Sequence, residues 1–291
     1  MDRRTVSALV LTRNEEVNLR GCMDSLSWCD DIVVFDSFST DRTAEIAKKH
    51  GARVFQHTFV NYGAQREAAR TLVEYKYPWV LTVDADERVE PALAEEVCAI
   101  AAEDGRGCTA YRVRRKDYFM GRWIRHATLY PTWFIRLYRN DAICYTERSV
   151  HEHPEVQGRL GELEGHLLHY SFNKGFVDWL QKHEKYAGME AKEAIRELKE
   201  VPLDWRLLSD FDDPVARRRF LKSFSYRLPF RPAMRFSYMY LLRRGFLDGV
   251  PGFVYCTLLG FYEYLIVKKM DEIRIRDSGD GVVSHGDRKD G

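Results

Sequence analysis

The chain contains no C-x-x-C pair and no Cys/His spacing of a zinc site; its six cysteines stand singly at positions 22, 29, 98, 108, 144 and 256. This excludes a disulfide framework and a structural zinc core, and the thiols read as reduced core residues. Nine prolines and nineteen glycines in 291 residues exclude a collagenous or low-complexity chain, and no internal repeat is present. A net charge of one sign is also missing, with 45 Lys and Arg against 44 Asp and Glu. The balance is uneven, however. Residues 217–276 hold thirteen Lys and Arg but four Asp and Glu, which leaves this stretch at +9 and the remainder at −8. A basic C-terminal third on an acidic body predicts a surface for phosphates, anionic lipid or nucleic acid. The apolar run at residues 6–11 is too short for a signal segment and ends in Arg13-Asn14-Glu15-Glu16, so a cytosolic location is expected.

What is present is a long chain, 45% hydrophobic, able to bury a substantial core as one or two domains. Residues 6–11, 32–35, 53–55 and 79–83 are short apolar runs of the kind found in strands buried on both faces. Helical segments over 16–26, 41–50, 64–73 and 91–102 separate and follow them, closed by Gly51 in one case and opened by Pro91 in another. Four alternations in about a hundred residues predict a doubly wound, mostly parallel α/β sheet, with ligands beyond the carboxyl ends of the strands. After Gly107 the arginine-rich strands 111–115 and 134–139 alternate, which fits an antiparallel part of a mixed sheet. A polar helix is expected over 176–199.

Three polar groups fall at strand ends. Asp84-Ala85-Asp86 can turn two carboxylates toward Mg²⁺ or Mn²⁺ and a diphosphate, or can simply be a solvated turn ahead of Pro91. Asp36 in Asp36-Ser37-Phe38-Ser39-Thr40-Asp41-Arg42-Thr43 can accept hydrogen bonds from a base or ribose, while Ser39, Thr40 and Asp41 fit helix capping. Thr12-Arg13-Asn14-Glu15 reads by itself as a capping box.

In combination, T-x-N-E, D-S-x-S-x-D-x-T and D-A-D-E, in this order and spacing, resemble the family 2 glycosyltransferases with their GT-A fold. More narrowly, the chain is similar to the branch related to lipopolysaccharide-core β-glucosyltransferases. The similarity continues through Gly63-Ala64-Gln65-Arg66, Phe119-Met120-Gly121-Arg122, Tyr130-Pro131, Arg136-Leu137-Tyr138-Arg139, Val150-His151-Glu152, His169-Tyr170-Ser171 and Gly245-Phe246-Leu247-Asp248-Gly249, and spans residues 5–270. The resemblance implies inverting transfer of a sugar from a nucleotide diphosphate donor, a UDP-sugar, with Mg²⁺ or Mn²⁺ as cofactor. It puts Thr12, Asn14, Glu15, Asp36 and Gln65 in the nucleotide-sugar pocket, Asp84 beside the ribose and diphosphate, and Asp86 as principal metal ligand with Asp84. Inversion needs a base for the acceptor hydroxyl. Many family members carry it in an E-D pair before Q-x-x-R-W, and neither occurs here. Glu152 is the substitute, flanked by His151 and His153, which can orient it or ligate the metal. Of the arginines at 112, 114, 115, 122, 125, 136 and 139, Arg136 is singled out for donor phosphates. His169 reads as a satisfied structural histidine more readily than as a ligand.

Arg217-Arg218-Arg219-Phe220-Leu221-Lys222 and residues 231–244 interleave cations with aromatic and aliphatic side chains, and thirteen Phe and Tyr lie between 220 and 264. This composition suits helices lying in a membrane interface. A packed helix pair without lipid contact, and a span over 250–267, are the other readings; Pro251 and Glu263 argue against the span. No RNA-binding motif is recognisable, so nucleic acid is not an expected partner. The domains expected are a transferase domain at 1–200, a basic aromatic helical extension that associates with membrane at 201–276, and a tail at 277–291. The function expected is extension of a lipid-linked glycan at the cytoplasmic face of the cell membrane, with the protein peripheral on an anionic surface. A sugar nucleotidyltransferase would need a glycine-rich phosphate loop after the first strand, which Thr12-Arg13-Asn14-Glu15 is not. A non-catalytic membrane adaptor would have no need of an intact Asp84/Asp86 pair.

Overall fold

The computed structural model describes residues 5–145, 154–200, 220, 223–228 and 230–277. By its contacts the chain divides into two compact units, Met1–Lys174 and Gly175–Gly291.

The first unit opens with β1 (Val6–Thr12), α1 (Glu16–Ser25), β2 (Ile32–Asp36), α2 (Thr43–Lys49), β3 (Arg53–Gln56), α3 (Tyr62–Leu72) and β4 (Trp79–Asp84). It continues with β5 (Glu87–Val89), α4 (Pro91–Ala102), β6 (Ala110–Phe119), β7 (Arg122–Trp123), β8 (Thr132–Arg139), β9 (Ile143–Tyr145), β10 (Pro154–Val156) and β11 (Leu160–His169). The first four strands pair in parallel in the order β3-β2-β1-β4. Their unbroken apolar runs are explained by burial on both faces. Val6, Ala8 and Val10 join one core with Leu19 of α1 and Leu93 of α4, while Leu9 points into the opposite core with Ala69 of α3. α3 begins two residues earlier than its apolar pattern suggests, because the Asn61 side chain accepts from the Ala64 N–H and caps it.

β8 then lies antiparallel between β4 and β6, β11 runs parallel to β6, and β5 closes that edge antiparallel to β11. Two antiparallel steps restore the direction of β1 to β4 in β6 and β11. The carboxyl ends of β1, β2, β4, β6 and β11 therefore share one edge of the sheet.

In the second unit, α5 (Phe176–Glu200), α6 (Arg231–Ser237) and α7 (Gly249–Asp277) are the described α-helices, with a π turn at Tyr238–Leu242 and a 3₁₀ turn at Gly245–Asp248 before α7. The expected domain boundary lay at residue 200, whereas by contacts α5 falls in this second unit. Its small residues Ala187, Ala191 and Ala194 recur at helical spacing and seat it against Ile266 and Met270 of α7. Among the described residues one helical stretch, Gly245–Asp277, is long and apolar enough to cross a membrane by length and composition. Within it Glu263 is paired with Arg231 of α6 at 3.0 Å.

Candidate active site

The loops after β1 and β2 are stitched to each other. Asn14 takes a left-handed backbone, φ 54°, and its N–H donates to Ser39 Oγ at 2.8 Å while its Oδ1 accepts from the Thr40 N–H at 2.8 Å. The Glu15 N–H donates to Thr43 Oγ1 at 2.7 Å and the Glu16 N–H to Asp41 Oδ2 at 3.1 Å. The amide groups that open α1 are thus capped from the β2–α2 loop, and the capping box between Thr12 and Glu15 does not form. Thr12 Oγ1 instead donates to Asp36 Oδ1 at 2.9 Å.

Asp36 is fully buried and accepts from Thr12, from both the N–H and the Oγ of Ser39, and from Gln56. Gln65, also buried, donates to Ser37 Oγ at 3.0 Å and meets His57 Nδ1 through its Oε1 at 3.2 Å. These two side chains, expected in the nucleotide pocket, hydrogen-bond to neighbours in the loop walls. Asn14 remains exposed at the rim. Glu15 is held by Lys174 Nζ at 2.6 Å and Asn18 Nδ2 at 2.9 Å, and burial raises its carboxyl above the usual range despite both.

At the end of β4 the two aspartates diverge. Asp84 receives Arg136 Nη2 at 2.5 Å and Arg66 Nη2 at 3.4 Å. Burial opposes ionisation of Asp84, but the two guanidinium groups outweigh it and hold this carboxyl well below the ordinary range. Arg136 is only 2% exposed and also donates to Glu87 Oε1 at 2.9 Å. Arg136, singled out in the sequence for donor phosphates, has its guanidinium on Asp84 and Glu87 here. Glu87 in turn accepts from the Asp84 N–H at 3.0 Å and fixes the turn. It is completely buried, and that burial raises its carboxyl pKa although Arg136 opposes the shift.

Asp86 faces different company. Its Oδ2 lies 3.3 Å from His169 Nε2, at the end of β11, and His169 Nδ1 is 2.6 Å from Asp117 Oδ1 on β6. Asp117, His169 and Glu87 are register neighbours across β6, β11 and β5, so their side chains share a face. Burial works against the imidazolium, yet the hydrogen bonds to Asp117 and Asp86 raise the His169 pKa to about 9. His169 is thus a satisfied histidine, and one of its two partners is the second aspartate of the D-x-D triplet. Sequence reasoning missed this meeting and Asp117 altogether, and quoted Glu87 and Arg66 only within motifs and Arg115 only among the arginines. The alternation Arg115/Asp117 on a strand beside His169-Tyr170-Ser171 was the available signal.

Among the described residues no three His, Cys, Asp or Glu side chains converge into a metal cage. Of the expected ligand pair, Asp84 accepts from two guanidinium groups and Asp86 lies beside His169. Asp86 and His169, a carboxylate and an imidazole 3.3 Å apart, are a donor set that fits a cation, and a nitrogen donor suits Mn²⁺ better than Mg²⁺. Glu152, His151 and His153 lie outside the described residues.

The Glycosyl transferase family 2 model matches residues 7–156, and the chain belongs to that family. Its mixed sheet, with the polar loops gathered at the strands' carboxyl ends, is the GT-A type of α/β fold. Over 291 aligned positions it is 27% identical to the lipopolysaccharide core biosynthesis glycosyltransferase LpsC of Rhizobium meliloti, covering 96% of this chain and 98% of that protein. An uncharacterized glycosyltransferase of Rickettsia typhi is 25% identical over 94% of this chain and 89% of its own. The crystal structure of S. aureus TarS 1-349 in complex with UDP-GlcNAc aligns at 16% identity and a TM-score of 0.44, covering 94% of this chain and 92% of that one.

Proposed function

We propose that this glycosyltransferase moves a sugar, with inversion, from a UDP-sugar to a lipid-linked saccharide at the cytoplasmic face of the cell membrane, in the building of a lipopolysaccharide core. The observation that carries the reading is Asp86 beside His169 at the shared edge of β4 and β11, in a family 2 chain whose relative LpsC aligns from end to end. Asp86 and His169 would hold Mn²⁺ or Mg²⁺, and when bound the cation would neutralise the charge that gathers on the leaving diphosphate. Asp84, kept ionised and oriented by Arg136 and Arg66, faces the ribose and diphosphate. Asn14 and Glu15 line the nucleotide side, behind which Thr12, Asp36 and Gln65 keep the wall in shape. Glu152 takes the proton of the acceptor hydroxyl on the face opposite the leaving group.

In the second unit, Leu241, Leu242, Phe246, Leu247 and Val250 are all exposed, with Leu242 at 77%, and Arg243 and Arg244 sit between them in sequence. Apolar side chains next to cations favour an anionic bilayer surface. The seating of α7 on α5 and its Glu263–Arg231 ion pair favour an interfacial position over a span.

Titration with UDP, with and without Mn²⁺, followed by a panel of sugar nucleotides, tests the reading. Wild-type protein should bind UDP more tightly with Mn²⁺. Asp86→Ala should lose that gain and keep its fold, since a partly exposed turn carboxylate adds little to the core. Metal-stimulated UDP binding retained in Asp86→Ala would remove Asp86 from the role, and formation of a nucleotide sugar with release of pyrophosphate from UTP and a sugar 1-phosphate would favour the nucleotidyltransferase.

A further inference from the structure

We propose that Asp117 is a positioning residue for the cation site: its carboxylate fixes the His169 ring so that Nε2 faces the place beside Asp86. The proposal rests on the reading that Asp86 and His169 hold the cation.

β6 and β11 run parallel with Asp117 in register with His169, so backbone pairing sets the two side chains on one face. The 2.6 Å contact between Asp117 Oδ1 and His169 Nδ1 makes Nδ1 the nitrogen that carries the hydrogen in the neutral ring. The lone pair is then at Nε2, which lies 3.3 Å from Asp86 Oδ2. A ring turned over would set Cδ2–H against the carboxylate and Cε1–H toward the place beside Asp86, with no lone pair for the cation. Asp117 is itself anchored, with Arg115 Nε at 3.1 Å and the Arg115 guanidinium 4.6 Å from the centre of the Phe134 ring. Phe134, Arg115, Asp117, His169 and Asp86 form one continuous support that starts on rigid strands and ends at the ligand position. A carboxylate behind an imidazole also raises its basicity toward a metal.

The experiment uses the full chain with saturating UDP. It measures Mn²⁺ affinity by electron paramagnetic resonance and, as a second readout, the ¹⁴N coupling of the bound ion. Wild-type protein is expected to show nitrogen coupling and His169→Gln to lose it. Asp117→Ala is expected to weaken Mn²⁺ by about 10- to 100-fold and to diminish the coupling, with Asp117→Asn, which still accepts a hydrogen bond, in between. UDP affinity measured in EDTA should be the same in all of them, which separates lost positioning from lost fold; if Asp117→Ala does not fold, Asp117→Asn alone carries the comparison. Mn²⁺ affinity within about twofold of wild type and intact coupling in the folded Asp117 variants would overturn the proposal. A wild-type spectrum without nitrogen coupling, together with His169→Gln binding Mn²⁺ normally, would overturn the ligand reading and the proposal with it. The wild-type spectrum tells the two failures apart.

Discussion

Asp84 and Asp86 are the same residue type two positions apart, and their neighbours give them different work. Asp84 is the fixed anion of a buried network with Arg136, Arg66 and Glu87, whereas Asp86 is matched to an imidazolium whose proton a cation can replace. The groups facing His169 are Asp86 from the β4–β5 turn, Asp117 and Arg115 from β6, and Glu87 from β5. Its folded pKa, raised from 6.5 to about 9, means that the metal-free protein binds a proton between those values that the unfolded chain does not. The resulting stability is fully present below pH 6.5 and is lost as pH rises toward 9, by of order 3 kcal/mol at most. Denaturant unfolding in EDTA should therefore show falling stability from pH 6.5 to 9, and His169→Gln should flatten that slope; an unchanged slope in the variant would place the titrating group elsewhere. Mn²⁺ competes with the same proton, so its affinity should rise across this window. For the base, Glu152→Gln should leave UDP and Mn²⁺ binding intact and lower turnover by roughly 10²-fold or more, a loss that single-turnover transfer assays resolve. The D-x-D triplet itself was legible in the sequence. The differing fates of its two acids were not, because Arg136 and His169 come from strands roughly 50 and 80 residues away, and only sheet pairing brings them in.

At the scale of elements, the first four strands and helices were legible because burial on both faces leaves unbroken apolar runs, and Gly51 and Pro91 mark one helix stop and one helix start. The cross-loop stitching was not. Thr12 and Glu15 have capping-box spacing, but Asp41 and Thr43 cap α1 from another loop, and nothing local in the sequence distinguishes the two arrangements. The second half of the sheet shows the same limit, since it depends on β11 entering beside β6 in parallel. One small residue there is decisive. A Cβ at Gly165 of β11 would lie 2.7 Å from the Leu93 Cα of α4, and the neighbouring Gly165 N–H donates to Glu96 of the same helix at 2.9 Å. The helix backbone cannot yield as a flexible side-chain tip would. Gly165→Ala should cost about 1–3 kcal/mol, read as a lower denaturation midpoint with an unchanged denaturant slope. A variant as stable as wild type would show that α4 can slide on β11 without penalty.

For the whole molecule, the near-neutral total conceals a division of labour: an acidic transferase body, and a C-terminal third that holds +9 between residues 217 and 276. On the proposed function, with a lipid-linked acceptor, confinement to a surface speeds encounter, and each cation near an anionic bilayer contributes about 1 kcal/mol. Arg217, Arg218, Arg219 and Lys222 lie outside the described residues, so the structural part of the case is the run of exposed side chains from Leu241 to Val250. The two groups make separable contributions. Electrostatic attraction is screened over roughly 8 Å at physiological ionic strength, while insertion of Leu242 and Phe246 is insensitive to salt. Binding to vesicles containing anionic lipid should accordingly weaken as salt rises and level off at a residual fraction. Replacing the four cations with glutamine should remove the salt-sensitive part, and Leu242→Ser with Phe246→Ser should remove the residue that salt leaves. Either set should slow transfer to a lipid-linked acceptor more than transfer to a soluble saccharide of the same structure, because the donor site is untouched. Vesicle flotation decides the matter. Wild-type protein that stays unbound at low salt would end the membrane reading, and protein that resists both high salt and alkaline wash would mean that residues 250–267 are inserted across the bilayer.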